Sequence, residues 1–370
     1  MHLPQPDEIE ITVLGKGHGE SAVIHVGDNT WVVVDSLEND KKECVPLRYL
    51  RGMGVDVETS VKLVVATHWH DDHIAGISEM VSAAQSADFA MPAPMSDRNF
   101  KTFVDAHFSS TTLDLATAVS EIAKIGKILS DPDRPAPILA TSGKPLYTLL
   151  GSDVSHGTDI RLEALSPSDR DVQHFFLRLL APLNAPKRGK RRLLPFHEND
   201  ISVASWLSFG NGDALFGADL ETQSAPDRGW NSVLSSTHRP QRQAEIYKVS
   251  HHGSKSGDQN DIWSQLLQAD PHFVVAPYGL GIGLPVTNDK KRLLTRGSRG
   301  YITSSTPHRK YRDTGRGEEK TLGDFGIGIR SDNGNVGRVT MRRKIAPGSP
   351  WSVSLEDGAV PLKAFVPRDG

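Results

Sequence analysis

The stretch Val61-Lys-Leu-Val-Val-Ala66, followed directly by Thr67-His-Trp-His-Asp-Asp-His73, decides how this chain folds. A short apolar run rich in valine with a polar cluster at its end indicates a buried strand leading into a loop. His68 and His70 are two residues apart, so an extended chain points both imidazoles the same way. Asp72 and His73 follow where the chain turns. The loop is therefore predicted to serve two divalent metal ions, and its ligand types suit zinc, with manganese or iron as alternatives.

Composition limits the class of protein. The chain has 370 residues, 37% of them hydrophobic and 24% charged, which is typical of a globular protein with a sizeable core. Its net charge of −3 gives no overall bias toward nucleic acid or acidic membranes. Cys44 is the only cysteine, which excludes an internal disulfide. We find no secretory signal and no apolar run long enough to span a bilayer, so the sequence predicts a cytoplasmic protein without a membrane segment.

Three further strands each end in a residue that can bind metal or orient a ligand. The first is Trp31-Val-Val-Val-Asp35, and the second is Ala214-Leu-Phe-Gly-Ala-Asp219. The third is Ile246-Tyr-Lys-Val-Ser-His251-His252, which is followed by Gly253 and Ser254. When such residues stand at strand ends, they can meet at one edge of a sheet and form a single site.

The order of these pieces resembles the motifs of the metallo-β-lactamase superfamily over roughly residues 8–340. His-x-His-x-Asp-His after a hydrophobic strand is the most specific of them, and a strand ending in Gly-x-Asp matches the superfamily's metal-bridging aspartate. The resemblance implies an α/β fold: a four-layer αββα sandwich of two mixed β-sheets with outer helices. Composition alone indicates only an α/β or α+β protein.

The resemblance also implies roles for individual residues. Metal 1 would lie on His68, His70 and a third ligand, and metal 2 on Asp72, His73 and a histidine of the last loop. Asp219 would bridge the two ions, and Asp72 and Asp219 would be the catalytic carboxylates. The nucleophile would be a hydroxide held between the two metals, since two cations lower the pKa of bound water. Asp35 would orient a ligand histidine through its ring N–H.

Two assignments stay open at the sequence level. Strand alternation points His251 and His252 to opposite faces, so one is expected to bind metal while the other supports it or touches substrate. The third ligand of metal 1 is the second open point, because the superfamily usually supplies a histidine where this chain has Phe196-His197-Glu198-Asn199-Asp200-Ile201-Ser202. Asn199 or His197 could fill that position, or the loop could only line the site.

Several motifs together resemble the hydrolase domain of the bacterial DNA-uptake channel and its stand-alone relatives. They include the Gly-rich stretch 15–21, Asn-Asp-x-Ser before Gly-Ala-Asp, and His-His-Gly-Ser-Lys-Ser. This implies a phosphodiesterase or nuclease acting on DNA or RNA. The alternatives are hydrolysis of a small ester, lactone or other small molecule, and a non-catalytic binding module with a degenerate site. Oligomeric state and protein partners stay unknown at this stage.

Substrate contacts are predicted from basic and hydroxyl residues near the last ligand loop and from a basic run at 187–192. A phosphate group could contact Lys248, Ser254 and Lys255. A nucleic-acid backbone could bind the basic run by charge neutralisation, although a solvated loop is an equal alternative. The residues of that run that we single out are Arg188, Lys190, Arg191 and Arg192.

The chain is predicted to form one hydrolase domain over residues 1–345, with a helical insertion at about 97–130 and a basic insertion at about 168–198. Residues 346–370 are expected to be a C-terminal hairpin or tail. Residues 261–269 are predicted to form a helix, with a strand beginning at Phe273.

Overall fold

The computed structural model of the chain describes residues 2–102, 116–180, 197–279, 283–304 and 336–365. The strands within these residues form two mixed sheets of eight strands each. In chain order the strands are β1 Glu8–Gly15, β2 Glu20–His25, β3 Trp31–Val34, β4 Val61–Val65, β5 Asp88–Pro92, β6 Ile138–Ala140, β7 Pro145–Leu149, β8 Ile160–Ala164, β9 Ser205–Phe209, β10 Gly212–Phe216, β11 Ala244–Lys248, β12 Leu267–Val275, β13 Gly300–Ile302, β14 Gly337–Lys344, β15 Ser352–Glu356 and β16 Val360–Pro361.

The two sheets share one plan. The first has the order β15-β14-β1-β2-β3-β4-β5-β6, and the second has the order β16-β13-β12-β11-β10-β9-β8-β7. Strands β3 to β6 run parallel, as do β10 to β13, while the remaining neighbours pair antiparallel. Because the parallel strands of each sheet end at the same edge, the loops that follow them lie close together.

Helices cover the outer faces of the sheets. Those within the described residues are α1 Val45–Gly52, α2 Val57–Ser60, α3 Asp71–Ile74, α4 Ile77–Ala83, α5 Ala116–Ile128, α6 Asp169–Leu180, α7 Gly229–Ser235 and α8 Thr287–Leu294. Pro46 stands in the first turn of α1, where its missing N–H costs no hydrogen bond.

Strand alternation divides the buried side chains among three clusters. In β3 and β4, Val32 and Leu63 face the second sheet and pack in a core that includes Phe216. Their neighbours Val33 and Val64 face the other way, against the helices of the first sheet. A third cluster lies between the second sheet and its helices. The four layers are therefore helix, sheet, sheet and helix, and the predicted αββα sandwich is confirmed.

One predicted helix ends earlier than expected. Residues 262–266 make only a single π-helical turn, and the chain then enters β12 at Leu267, where a helix was expected to continue to residue 269. Leu267 pairs with Ala244 of β11. Pro271 follows shortly, and proline disfavours the helical conformation of the residue before it. Sheet pairing therefore prevails over the helical spacing of the apolar residues.

The C-terminal segment does not form a hairpin of its own within the described residues. β15 pairs with β14 at the edge of the first sheet, whereas β16 pairs with β13 at the edge of the second. The domain boundary at residue 345 stays a prediction. In the two predicted insertions α5 and α6 are helical, while residues 103–115 and 181–196 lie outside the described residues.

Candidate metal centre

The loop after β4 carries the first part of the centre. Beyond the strand the chain stays extended through His70 and then enters the single turn of α3. His68 is completely buried, and His70 keeps 36% of its side chain exposed. Trp69 between them points into the outer core and packs edge-on against Phe100 at 5.2 Å. Alternation therefore brings His68 and His70 to the same side, and the turn of α3 adds the buried side chains of Asp72 and His73.

The second sheet supplies the other part from the ends of β10 and β11. Asp219 Oδ1 lies 3.2 Å from His73 Nε2, and Asp219 Oδ2 lies 3.4 Å from His252 Nε2. The same His252 nitrogen is 2.9 Å from Asp72 Oδ2. Ser202 Oγ accepts a hydrogen bond of 3.0 Å from the Asp219 backbone N–H, which fixes this loop. The two sheets thus bring their ligand-bearing loops into direct contact.

Two groups of side chains within this contact could each hold a metal ion. One consists of His68, His70 and Asp219, and its ligand atoms all lie within 4.8 Å of one another. The other consists of Asp72, His73, Asp219 and His252, under the same limit. Asp219 belongs to both groups, as a bridging carboxylate would.

The buried atoms of these groups lack the hydrogen bonds that buried polar atoms ordinarily make. Among the described residues no hydrogen-bond partner is found for His68 Nε2, for His73 Nε2, for Asp219 Oδ1 or for either Asp72 carboxylate oxygen. All of them are lone-pair donors of the types that zinc, manganese and iron accept. The residues therefore fit divalent metal ions, which would satisfy these atoms together.

In His73 and His252, the other ring nitrogen, Nδ1, contacts oxygen atoms of the protein. Asp35 Oδ2 lies 2.7 Å from His73 Nδ1, and Asp35 in turn accepts hydrogen bonds from the backbone N–H and the hydroxyl of Thr67. His252 Nδ1 donates to the Ala276 carbonyl at 3.0 Å. Such contacts fix the tautomer and direct Nε2 toward the centre. The structure thus places Asp35 behind His73, and the role of Asp35 in orienting a metal ligand stays a prediction.

The charges of the centre compensate one another. Burial would raise the pKa of Asp72 and Asp219, but the neighbouring histidines hold both well below the ordinary value. Burial would likewise lower the pKa of His70, yet Asp72 beside it raises that pKa to about 9. Burial does lower the pKa of His68, so this imidazole is neutral and keeps its lone pair for a metal ion.

His251 and His252 lie in different surroundings, and only His252 belongs to a ligand group. The strand ends at Lys248, and the two histidines lie in a tight turn in which both have positive φ, 46° and 52°. His252 is buried within the second group. His251 Nδ1 lies 2.7 Å from Glu221 Oε1 and 2.9 Å from Ser256 Oγ, and its Nε2 faces Asn199 Nδ2 at 3.5 Å. The alternation assumed from the sequence does not apply, because the chain is no longer extended.

The loop before β9 is next to His251. Asn199 lies in the short turn Glu198–Ile201 and contacts His251 with its side-chain amide. His197 is exposed and belongs to neither ligand group. The sequence predicts that this loop supplies the third ligand of metal 1, and for Asn199 this stays a prediction. The third member of the first group is Asp219.

The predicted substrate contacts lie in different surroundings. Lys248 is buried, and its ammonium donates to Glu20, so it faces the interior of the protein. Ser254 Oγ accepts from the backbone N–H of Ser256, and Lys255 is exposed. The basic residues Arg188, Lys190, Arg191 and Arg192 lie outside the described residues.

Two residues near the centre were missed from the sequence. Tyr278 follows β12 and stacks on His252 with ring centroids 5.2 Å apart. Burial raises the pKa of its phenol to about 12. Glu221 pairs with His251. Glu221 stands two residues after Asp219, a spacing that marks it as a candidate, whereas no local pattern marks Tyr278.

Residues 14–94 match the model of the family described as the metallo-beta-lactamase superfamily. The matched segment includes β2 to β5 and the loop with His68 to His73, so the similarity to this family covers that part of the chain. The two mixed sheets with outer helices are the α/β sandwich of this fold. No curated protein matches the chain significantly.

Solved structures with similarity to the chain are distant from it in sequence. The metallo-β-lactamase fold protein YhfI from Bacillus subtilis is 13% identical, with coverage of 80% of this chain and 95% of that protein and a TM-score of 0.39. The Cronobacter sakazakii metallo-β-lactamase with a HARLDQ motif is 13% identical, with 66% and 74% covered and a TM-score of 0.33. The Zn²⁺-bound PqqB from Methylobacterium extorquens is 8% identical, with 64% and 71% covered and a TM-score of 0.33.

Within the described residues, no helix combines the length and the apolarity that are needed to cross a bilayer.

Proposed function

We propose that this chain is a metal-dependent hydrolase that cleaves phosphodiester bonds in DNA or RNA. The observation that carries the proposal is the sharing of Asp219 by two adjacent ligand groups. Two-metal sites of this kind suit displacement at phosphorus, since both the attacking and the leaving oxygen develop charge during the reaction.

The first ion would be held by His68, His70 and Asp219. The second would be held by Asp72, His73, Asp219 and His252. We propose zinc, with manganese or iron as alternatives, because imidazole and carboxylate ligands accept all three. Such ions lower the pKa of bound water toward neutrality and offset negative charge on the phosphoryl oxygens.

We assign to His251 the transfer of a proton to the leaving oxygen. Hydrolysis joins the oxygen of water to phosphorus and breaks the bond to the leaving alkoxide, which then needs a proton. His251 is oriented by the Glu221 carboxylate at Nδ1, and its Nε2 points toward Asn199 near the centre. A carboxylate at Nδ1 orients the ring, so that Nε2 can hand a proton to the leaving oxygen.

Tyr278 would donate a hydrogen bond to substrate. Its ring stacks on His252 beside the ligand groups, and with a pKa of about 12 the phenol keeps its proton at neutral pH. A hydroxyl in this position can stabilise a phosphoryl oxygen as its charge grows. The basic run at 187–192 would add backbone contacts to a nucleic acid.

The test is hydrolysis by the purified protein loaded with zinc or manganese. We expect cleavage of bis-p-nitrophenyl phosphate and of a labelled single-stranded oligonucleotide, and no cleavage of nitrocefin or p-nitrophenyl butyrate. The matched control is the double variant D72A/D219A, which should be inactive on every substrate. Turnover of the ester or of nitrocefin alone would favour a small-molecule hydrolase instead. A protein that binds no ions would favour a binding module.

A further inference from the structure

A buried ion pair joins the two sheets directly behind the metal centre. Glu20 is the first residue of β2 in the first sheet, and Lys248 is the last residue of β11 in the second. Their side chains are only 4% and 5% exposed, and the Lys248 ammonium donates to Glu20 Oε1. Burying two charges is costly, so a pair in this position calls for a reason beyond packing.

The Glu20 carboxylate also contacts the two histidines of the second ligand group. Its Oε1 lies 3.5 Å from His73 Nδ1, and its Oε2 lies 3.5 Å from His252 Nδ1. These are the ring nitrogens that face away from the centre. Glu20 forms no ion pair with His68 or His70 in the part of the chain that the structure describes. Among the ligand histidines proposed above, Glu20 therefore contacts only those of the second group.

The charges around the pair support a link to bound ions. Glu20, Asp35, Asp72 and Asp219 would bring four negative charges into a buried space. Lys248 supplies one positive charge, and two divalent ions with one hydroxide would supply the remaining three. A cavity of about 20 Å³, lined in part by Glu20, Asp35 and Lys248, is large enough for one water that could satisfy the second oxygen of Glu20.

We propose that Glu20, held in place by Lys248, is a positioning residue for the second ion. Its negative charge lies beside Nδ1 of His73 from the first sheet and Nδ1 of His252 from the second, and so holds both rings in place relative to Asp219. This inference rests on the proposed function, because it takes the centre to bind two ions. It goes beyond that function in one respect: Glu20 should affect the affinity for the second ion and not that for the first.

The experiment is a titration of the metal-free protein with Zn²⁺, followed by calorimetry and by metal analysis after gel filtration. For Glu20→Gln we expect the second ion to bind ~10–100-fold more weakly, as is usual when a partner of a ligand histidine is lost. The first ion should bind with wild-type affinity, and the retained metal should fall from about two ions to about one. Wild-type affinity for both ions would overturn the inference.

The matched control is Glu10→Gln. Glu10 is also a fully buried strand glutamate paired with a cation, here Arg342 at 2.7 Å, but it belongs to neither ligand group. This variant should bind both ions as the wild type does. If it weakened the second ion as strongly as Glu20→Gln, general destabilisation would explain the effect and the inference would be lost.

A second variant covers the case in which Glu20→Gln fails to fold. Apolar replacement of a whole buried ion pair is often neutral for stability, so Glu20→Leu with Lys248→Met is expected to fold. It should still lose the second ion, and retention of both ions by this variant would refute the proposal. A wild-type protein that binds no ions would instead contradict the proposed function, and with it the inference.

Discussion

His251 and His252 are adjacent in sequence, but their hydrogen bonds give them different chemistry. The Ala276 carbonyl takes the Nδ1 proton of His252 and leaves Nε2 to the carboxylates of the centre. Glu221 and Ser256 hold Nδ1 of His251, whose Nε2 lies near Asn199. The residue identities alone do not distinguish the two, because the difference arises from two consecutive positive φ angles.

Substitution of each histidine should therefore have a different result. We expect His252→Ala to lose the second ion and all turnover. His251→Gln should keep both ions but cleave an oligonucleotide ~10²–10⁴-fold more slowly, since the alkoxide leaving group then lacks its proton donor. Cleavage of bis-p-nitrophenyl phosphate should change little, because nitrophenolate leaves without a proton. Equal losses on both substrates, or loss of metal from His251→Gln, would contradict this role.

Asp35 should act on the centre through His73, the histidine that its carboxylate contacts directly. Asp35→Asn keeps the size of the side chain but removes the charge beside His73 Nδ1, so we expect a ~10–100-fold loss of affinity for the second ion, measured by Zn²⁺ titration. The control is Asp213→Asn, which changes another buried aspartate that accepts hydrogen bonds from Trp206 and Ser208 on the second sheet. The Asp213→Asn variant should bind Zn²⁺ with wild-type affinity. If both variants lost Zn²⁺ affinity to a similar extent, Asp35 would have no special role in the centre.

At the scale of elements, close packing between two loops explains why the Gly-x-Asp motif has glycine at position 217. A Cβ on Gly217 would lie 2.8 Å from the Cβ and 2.9 Å from the Cα of Ser250, which precedes the histidine turn. The ends of β10 and β11 can approach this closely only because residue 217 has no side chain. Glycine at position 217 therefore allows the Asp219 loop to pack against the His252 loop.

Gly217→Ala should force these two loops apart. We expect ~1–3 kcal/mol less free energy of unfolding, as is typical of overpacking, together with weaker binding of both ions. The control is Gly126→Ala in α5, where a Cβ meets nothing within 4 Å. That change should raise the free energy of unfolding by ~0.5–1 kcal/mol, because alanine favours the helix. Urea unfolding and Zn²⁺ titration measure both effects, and an unaffected G217A protein would refute the packing argument.

His25 at the end of β2 should make stability depend on pH. Burial lowers its pKa from 6.5 to about 4. Between these values the unfolded chain takes up a proton that the folded chain does not, so stability falls as the pH falls from 6.5 to 4. The expected loss is up to ~3 kcal/mol. Urea unfolding in the presence of chelator should give a flatter dependence for His25→Gln, and identical slopes would exclude His25 as the cause.

The elements that the sequence predicts are those with a strong local pattern. The valine run of β4, the strand before Asp35 and the Gly-x-Asp strand all lie where apolar runs ended by polar residues predict them. The start of β12 was missed because Ile262 and Leu266 have helical spacing, while the pairing of Leu267 with Ala244 is a contact between residues far apart in the chain. Tyr278 was missed for the same reason, since only the folded chain brings it to His252.

At the scale of the whole molecule, neither sheet holds all members of either ligand group that shares Asp219. His68, His70, Asp72 and His73 come from the first sheet, whereas Asp219 and His252 come from the second. The sequence could predict the ligand types from the motifs. It could not predict that Glu20 would link the two sheets behind them, because Glu20 and Lys248 are 228 residues apart. Because Asp219 and His252 meet the other candidate ligands only when both sheets are packed together, ions bound there would favour the folded state.

Loading with metal should therefore raise the Tm of this protein by mass action. An ion present at 100 times its Kd adds ~3 kcal/mol per site to the free energy of unfolding, provided that it does not bind the unfolded chain. We expect calorimetric scans with Zn²⁺ to show a Tm several degrees above that of scans with chelator. In D72A/D219A the difference should vanish, since both ligand groups lose a carboxylate. A shift of equal size in the double variant would mean that the stabilising ions bind elsewhere, and the assignment of both ligand groups would then fail.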